Sequence, residues 1–193
     1  ARLAMLLENG LQGLGLVLLL LFLFLNVRTA FWVAAGIPAA MAAALALMYL
    51  SGLTINMISL FALIITLGIV VDDAIVVGEH ADFRARVLGE SPVLAAENAA
   101  KRMFTPVFSA TLTTVIAFFG LVAIGGRFGD LIADIPFTVI VVLIASLAEC
   151  FLVLPHHMAQ SISVRSRIAW YDMPSYFMNY LLDQFKFYVF RPF

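Results

Sequence analysis

Charged residues and cysteine are both scarce in this 193-residue chain. Only 12% of the residues are charged, and 11 Lys and Arg nearly balance 12 Asp and Glu. Neither sign forms a run that would make a nucleic-acid patch, so we expect no nucleic-acid partner. The single cysteine, Cys150, lies in an apolar stretch. The chain therefore cannot form an internal disulfide, and we interpret this thiol as inert packing.

Apolar residues are correspondingly abundant. They make up 64% of the chain, and the mean hydropathy of +1.07 exceeds what the surface of a soluble domain tolerates. A membrane span needs roughly 20 apolar residues. Five stretches fit, which predicts an all-α membrane protein with a bundle of about five transmembrane helices. The stretches are Asn9 to Leu25, Phe31 to Leu50, Ile55 to Val77, Pro106 to Ile124 and Ile135 to Leu154.

The C-terminal part has a different pattern. From Trp170 to Phe190, polar residues recur at helical spacing among aromatic and aliphatic ones. This pattern predicts an amphipathic helix that lies at the membrane interface or, alternatively, packs on a further soluble domain. We therefore divide the chain into a transmembrane bundle over residues 1–160 and a cytoplasmic-side amphipathic helix with its linker over residues 161–193.

The distribution of basic residues predicts the orientation. Five alternating spans place nine basic residues on one side, and only Arg2 and Arg127 on the other. Under the positive-inside rule, the N-terminus faces outward and the C-terminus is cytoplasmic.

Two adjacent carboxylates, Asp72 and Asp73, lie within the third apolar stretch. An aspartate at the centre of a membrane helix costs about 3 kcal/mol, so a doublet calls for a function or for strong partners. Desolvation and the neighbouring like charge favour the neutral acid, as a proton carrier requires. A structural ion pair or a hydrogen-bonded knot between helices is the alternative. No Lys or Arg lies in any of the five stretches, so a cation for this pair must come from elsewhere.

Glu149 is the other acid in an apolar stretch. We predict a hydrogen bond between helices or a secondary protonation site there. A metal site built with His156 and His157 is disfavoured because adjacent histidines point apart on a helix, and we expect neither a metal nor a cofactor. An intramembrane aspartyl protease is also disfavoured, because its two aspartates must face each other from separate helices. We therefore expect no enzymatic activity.

The block from Gly68 to Val77, with Glu79 after it, resembles the fourth transmembrane helix of the resistance-nodulation-division (RND) efflux transporters. Further segments resemble the family in the same order. They are Asn26-Val27-Arg28, Gly36-Ile37-Pro38, Thr54 to Leu60, Thr105 to Thr114 and Leu154-Pro155.

This resemblance implies proton-driven export of hydrophobic or amphiphilic compounds across a bacterial inner membrane, with Asp72 and Asp73 as the proton relay. Family members have twelve spans in two halves, two periplasmic domains and a trimeric assembly. The chain then corresponds to the second to sixth spans, and the other half would supply the Lys and Arg that pair with the doublet. We accordingly expect that the chain alone does not transport and acts as a membrane scaffold or assembly segment when isolated.

Overall fold

A computed structural model describes residues 2–122 and 132–162, together with residues 129, 173, 175, 177, 178, 180, 181 and 184. Six α-helices and one π-helical segment, here called the π turn, are assigned in the described part of the chain. They are α1 Arg2–Phe24, α2 Val27–Leu50, α3 Met57–Arg86, α4 Pro92–Val122, α5 Asp134–Ala148, the π turn Glu149–Val153 and α6 Leu154–Ser161. No strand occurs among these residues, which confirms the predicted all-α class.

Four segments are long and apolar enough to cross a membrane. They are Val27–Leu50, Met57–Arg86, Pro92–Val122 and Asp134–Ser161, the last combining α5, the π turn and α6. The first predicted span does form a helix, but its apolar part, Glu8–Phe24, is shorter than the other four. The polar stretch between the third and fourth apolar stretches extends α3 to Arg86 and starts α4 at Pro92.

Helix α3 is the centre of the bundle. It contacts α1, α2, α4, α5 and α6, whereas α1 packs mainly on α2 and α3. Small residues on the buried face of α3 let neighbouring helices approach closely. These residues are Ser59, Ala62, Ala74, Gly78, Ala81 and Ala85.

Polar side chains link the helices at both ends of the bundle. Asn26, before α2, donates from Nδ2 to Asp82 Oδ2 of α3 at 2.6 Å. At the opposite end, Asn56 caps α3 by accepting from the backbone N–H groups of Ile58 and Ser59, and donates to Asp134 Oδ2 of α5 at 2.5 Å. These contacts fix the ends of α3 against the neighbouring helices.

Two turns connect the long helices. The φ angle is 74° at Gly52, between α2 and α3, and 69° at Gly89, between α3 and α4. Such angles are unfavourable for residues with a Cβ, which explains glycine at both positions. The loop between α4 and α5 is described only in part, and the predicted amphipathic helix over Trp170 to Phe190 lies largely outside the described residues.

Candidate functional site: the acidic doublet of α3

The doublet lies at the middle of α3, the helix at the centre of the bundle. Asp72 is 15 residues after Met57 and 14 before Arg86, counted from the bounds of α3, or roughly 21 to 22 Å from each end at about 1.5 Å per residue. The predicted span ended at Val77, so the sequence placed the doublet nearer one end. In the structure neither end of the helix is within reach of an aspartate side chain.

The two carboxylates have different surroundings because adjacent residues are about 100° apart on a helix. Asp72 is exposed on the surface of the bundle, whereas Asp73 is partly buried. The side chain of Asp73 faces Thr111 of α4, and its backbone carbonyl accepts a weak hydrogen bond from Cys150 Sγ at 3.6 Å. Its buried Oδ2 atom has no hydrogen-bond partner among the described residues. Asp73 thus faces the interior of the bundle, and Asp72 faces its surface.

Asp72 is also the central member of an uncovered strip along α3, which we call the α3 stripe. Its members follow one another at intervals of three or four residues, the spacing of a single helical face. They are Met57, Phe61, Ile65, Gly68, Asp72, Val76, Glu79, Phe83 and Arg86, and all are exposed. The other faces of α3 pack on its neighbours. An apolar strip of this length with a carboxylate at its centre has the pattern of a helix-packing surface.

Ion pairs among the described residues lie away from the doublet. They are Arg84 with Glu90, Arg86 with Asp82, and Lys101 with Glu97. All three lie where α3 ends and α4 begins. Within residues 2–122 and 132–162, no cation pairs with Asp72 or Asp73.

A groove of about 260 Å³ follows the doublet toward the C-terminal end of α3. It is lined by Val76, Glu79, His80, Phe83 and Met103. His80 Nε2 is buried without a hydrogen-bond partner among the described residues. The sequence does not predict this burial, because it depends on how α4 crosses α3.

Glu149 lies at a different interface, between the π turn and α2. It is 7% exposed and is the first residue of the π turn. Its carboxyl group packs directly on Gly36 of α2, where an added Cβ would overlap with it. The sequence singles out Glu149 but does not predict its contact with Gly36, because no local pattern connects residues so far apart in the chain.

The two histidines beyond the π turn have separate partners. His157 stacks on Trp32 of α2, with ring centroids 4.2 Å apart and planes 8° apart. His156 Nε2 lies 2.9 Å from Gln160 Nε2. The described residues do not bring these rings together with Glu149 as a group of ligands.

The family model described as the AcrB/AcrD/AcrF family matches residues 3–177. The swarming motility protein SwrC of Bacillus subtilis is 33% identical over 143 residues, covering 72% of this chain and 13% of that protein.

Two multidrug resistance proteins named MdtC give similar matches. The protein from Klebsiella pneumoniae is 36% identical over 144 residues, which is 74% of this chain and 14% of that protein. The one from Escherichia coli is 37% identical over 136 residues, or 70% and 13%. The chain thus spans about one seventh of the length of these relatives. The matched family model and these identities, together with the apolar helices and the doublet within α3, show that the chain belongs to the AcrB/AcrD/AcrF family of RND transporters.

Proposed function

We propose that this chain is a membrane-domain segment of a proton-driven efflux transporter, and that Asp72 and Asp73 form the acidic half of its proton relay. We infer from the resemblance to RND efflux transporters that the exported compounds are hydrophobic or amphiphilic; the MdtC relatives are named as multidrug resistance proteins. The observation that carries this proposal is the exposure of Asp72 at the centre of the α3 stripe. A carboxylate in that position is costly in lipid unless another protein segment covers it.

The second half of the transporter would cover the α3 stripe and supply the missing cation. A Lys or Arg at the level of Asp72 stabilises the ionised doublet, and protonation of the doublet releases this cation. Because the neutral and ionised doublets then prefer different helix arrangements, proton binding can bias the packing of the two halves. The full-length assembly would be a trimer of such proteins in a bacterial inner membrane.

A hydrogen bond between the start of α2 and the end of α3, together with the basic residues near it, supports a cytoplasmic location for this end of the bundle. Asn26 contacts Asp82, so the start of α2 lies beside the end of α3. This end carries Arg28, Arg84 and Arg86 in the described chain, as the positive-inside rule requires of a cytoplasmic face. The N-terminus is then periplasmic and the C-terminal segment cytoplasmic.

Export by a complete transporter carrying this chain tests the relay. Asp72→Asn and Asp73→Asn each keep the side-chain shape but remove the titratable group, so we expect both to abolish energy-dependent dye efflux from cells. Their amounts in the membrane should match the parent. Glu97→Gln is a suitable control, because its pair with Lys101 is surface-exposed and such pairs contribute little. Full efflux by both aspartate variants would refute the assignment.

A membrane scaffold without transport activity is the second candidate for the isolated chain. It is favoured by the lack of a cation near the doublet among the described residues. We expect the 193-residue chain in liposomes to give no proton flux above protein-free liposomes. A flux that disappears in Asp73→Asn would show instead that the chain is competent by itself.

A further inference from the structure

The structure points to a use for Glu149, a buried acid that the doublet mechanism leaves without a role. Its side chain is 7% exposed and lies within the segment Asp134–Ser161, which is long and apolar enough to span a membrane. No hydrogen bond or ion pair to its carboxyl group is found among the described residues. A buried carboxylate in that setting would carry a large desolvation cost, which a bound proton removes.

The π turn explains how Glu149 and Cys150 both come to face inward. Proline at position 155 has no N–H, and its ring would clash with the Phe151 carbonyl of a regular α-helix. The backbone widens instead, and the N–H of Leu154 donates to the Glu149 carbonyl, five residues earlier. Glu149 and its neighbour Cys150 are consequently both buried. Such π segments often occur at functional sites.

Two contacts of the π turn connect different helices. Glu149 meets Gly36 of α2, where an added methyl group would lie 2.8 Å from Glu149 Cδ. Cys150 meets the backbone carbonyl of Asp73 on α3. A shift of the π turn would therefore act on α2 and on the backbone of the doublet together.

The receiving surface on α2 suits a neutral acid. Gly36 offers space but no side chain. It therefore supplies neither a side-chain hydrogen-bond donor nor a charge to balance an ionised Glu149, whereas the neutral acid needs no counter-charge.

The other ionisable groups near Glu149 do not supply a counter-charge either. Asp73 approaches from α3, and Cys150 lies beside Glu149 on the π turn itself. From α6 the nearest such groups are His156 and His157, which are engaged by Gln160 and Trp32. Helix α4 reaches the π turn through Phe104 and Phe151, whose ring centroids are 5.2 Å apart. The cations of α4 closest in sequence to that contact are Lys101, paired with Glu97, and Arg102. Neither forms an ion pair with Glu149 among the described residues.

We propose that Glu149 is a second proton-binding site of this membrane domain. The neutral acid holds the π turn against Gly36, and loss of the proton drives the carboxyl group away from α2. Through Cys150 this movement reaches Asp73, so the site deepens the proposed relay function and its regulatory part rests on that function. Proton binding by Glu149 itself does not depend on the relay.

Infrared spectroscopy of the 193-residue chain in lipid nanodiscs tests this proposal. The carbonyl stretch of a protonated carboxylic acid is followed over a pH titration in an Asp72→Asn, Asp73→Asn background, which removes the relay acids. We expect a protonated-acid band at neutral pH that Glu149→Gln eliminates and Glu97→Gln retains. A band unchanged by Glu149→Gln, or no band at all, would overturn the proposal without affecting the relay assignment.

A matched pair of glycine variants provides the second measurement. In Gly36→Ala the added methyl overlaps with the Glu149 carboxyl group and must displace it, whereas Gly68→Ala places its methyl in open space. We expect the band to titrate at lower pH in Gly36→Ala, with no change in Gly68→Ala. If the band titrates at the same pH in these two variants, the proposed contact between the Glu149 carboxyl group and Gly36 of α2 is wrong.

The unfolding temperature of Glu149→Gln provides a third test, which also applies if this variant is less stable than the parent. Gln has the shape of the neutral acid and carries no charge, so Glu149→Gln should unfold at the parental temperature. Strong destabilisation by this substitution would mean that the ionised carboxylate is the native form, which would refute a proton-binding role.

Discussion

Replacement of Gly78 by alanine is the substitution whose effect on stability follows most directly from the structure. Gly78 lies on the buried face of α3 against α2. An added Cβ would lie 3.1 Å from Val33 Cγ2 and 3.5 Å from Thr29 Cγ2. Both neighbours are buried, with 0% and 2% exposure, and β-branched side chains have few rotamers to escape into.

Two opposing terms set the magnitude. Alanine is favoured over glycine within a helix by about 1 kcal/mol, while overpacking a well-filled contact costs about 1 to 3 kcal/mol. Gly78→Ala should therefore lower the free energy of unfolding by up to about 2 kcal/mol. Gly68 lies on the same helix but faces open space. Gly68→Ala should therefore raise the free energy of unfolding by the helix preference of alanine alone, about 1 kcal/mol.

Thermal or denaturant unfolding of the 193-residue chain in detergent, followed by far-ultraviolet circular dichroism, measures this difference. We expect Gly68→Ala to be more stable than Gly78→Ala by about 1 to 3 kcal/mol. If Gly78→Ala is as stable as Gly68→Ala, the close packing of α2 on α3 described here is wrong.

Two further predictions concern the ends of α3. Asn56→Ala removes the N-cap and the contact with Asp134, so it should cost about 1 kcal/mol or more in the same unfolding assay; Ser51→Ala, at an exposed site, should have little effect. The hydrogen bond from Arg84 and then that from Asn98 lower the pKa of Glu90. Because the folded-state value is the lower one, this stabilisation is complete above the ordinary glutamate range and is lost as the pH falls through the folded-state value. The unfolding temperature should therefore decline on acidification more steeply in the parent than in Glu90→Gln, and equal slopes would contradict this role for Glu90.

The sequence predicted where the long helices lie better than where they end. Hydropathy detects only the apolar part of a helix, so the third span was predicted to stop at Val77 although α3 continues to Arg86. The continuation is polar on one face yet buries Ala81 and Ala85 against neighbouring helices. Likewise, the apolar stretch beginning at Pro106 is only the second part of α4, which starts at Pro92.

The residues of the candidate site stand out in the sequence, whereas their contacts do not. Asp72 and Asp73 stand out in the sequence because two carboxylates interrupt an apolar run. Which of them faces outward depends on how α3 is rotated within the bundle, and local spacing does not determine that rotation. The contact of Glu149 with Gly36 depends on the π turn. Pro155 favours this backbone irregularity, but the periodicity of the sequence cannot locate it.

Substrate-driven proton flux in proteoliposomes tests the central claim most directly. The complete transporter carrying this chain would be compared as the parent, Asp73→Asn and the Glu97→Gln control, with equal amounts of inserted protein. We predict that an export substrate drives proton movement in the parent and in the control, and none in Asp73→Asn. Proton movement at the parental rate in Asp73→Asn would contradict the assignment of the doublet as the relay.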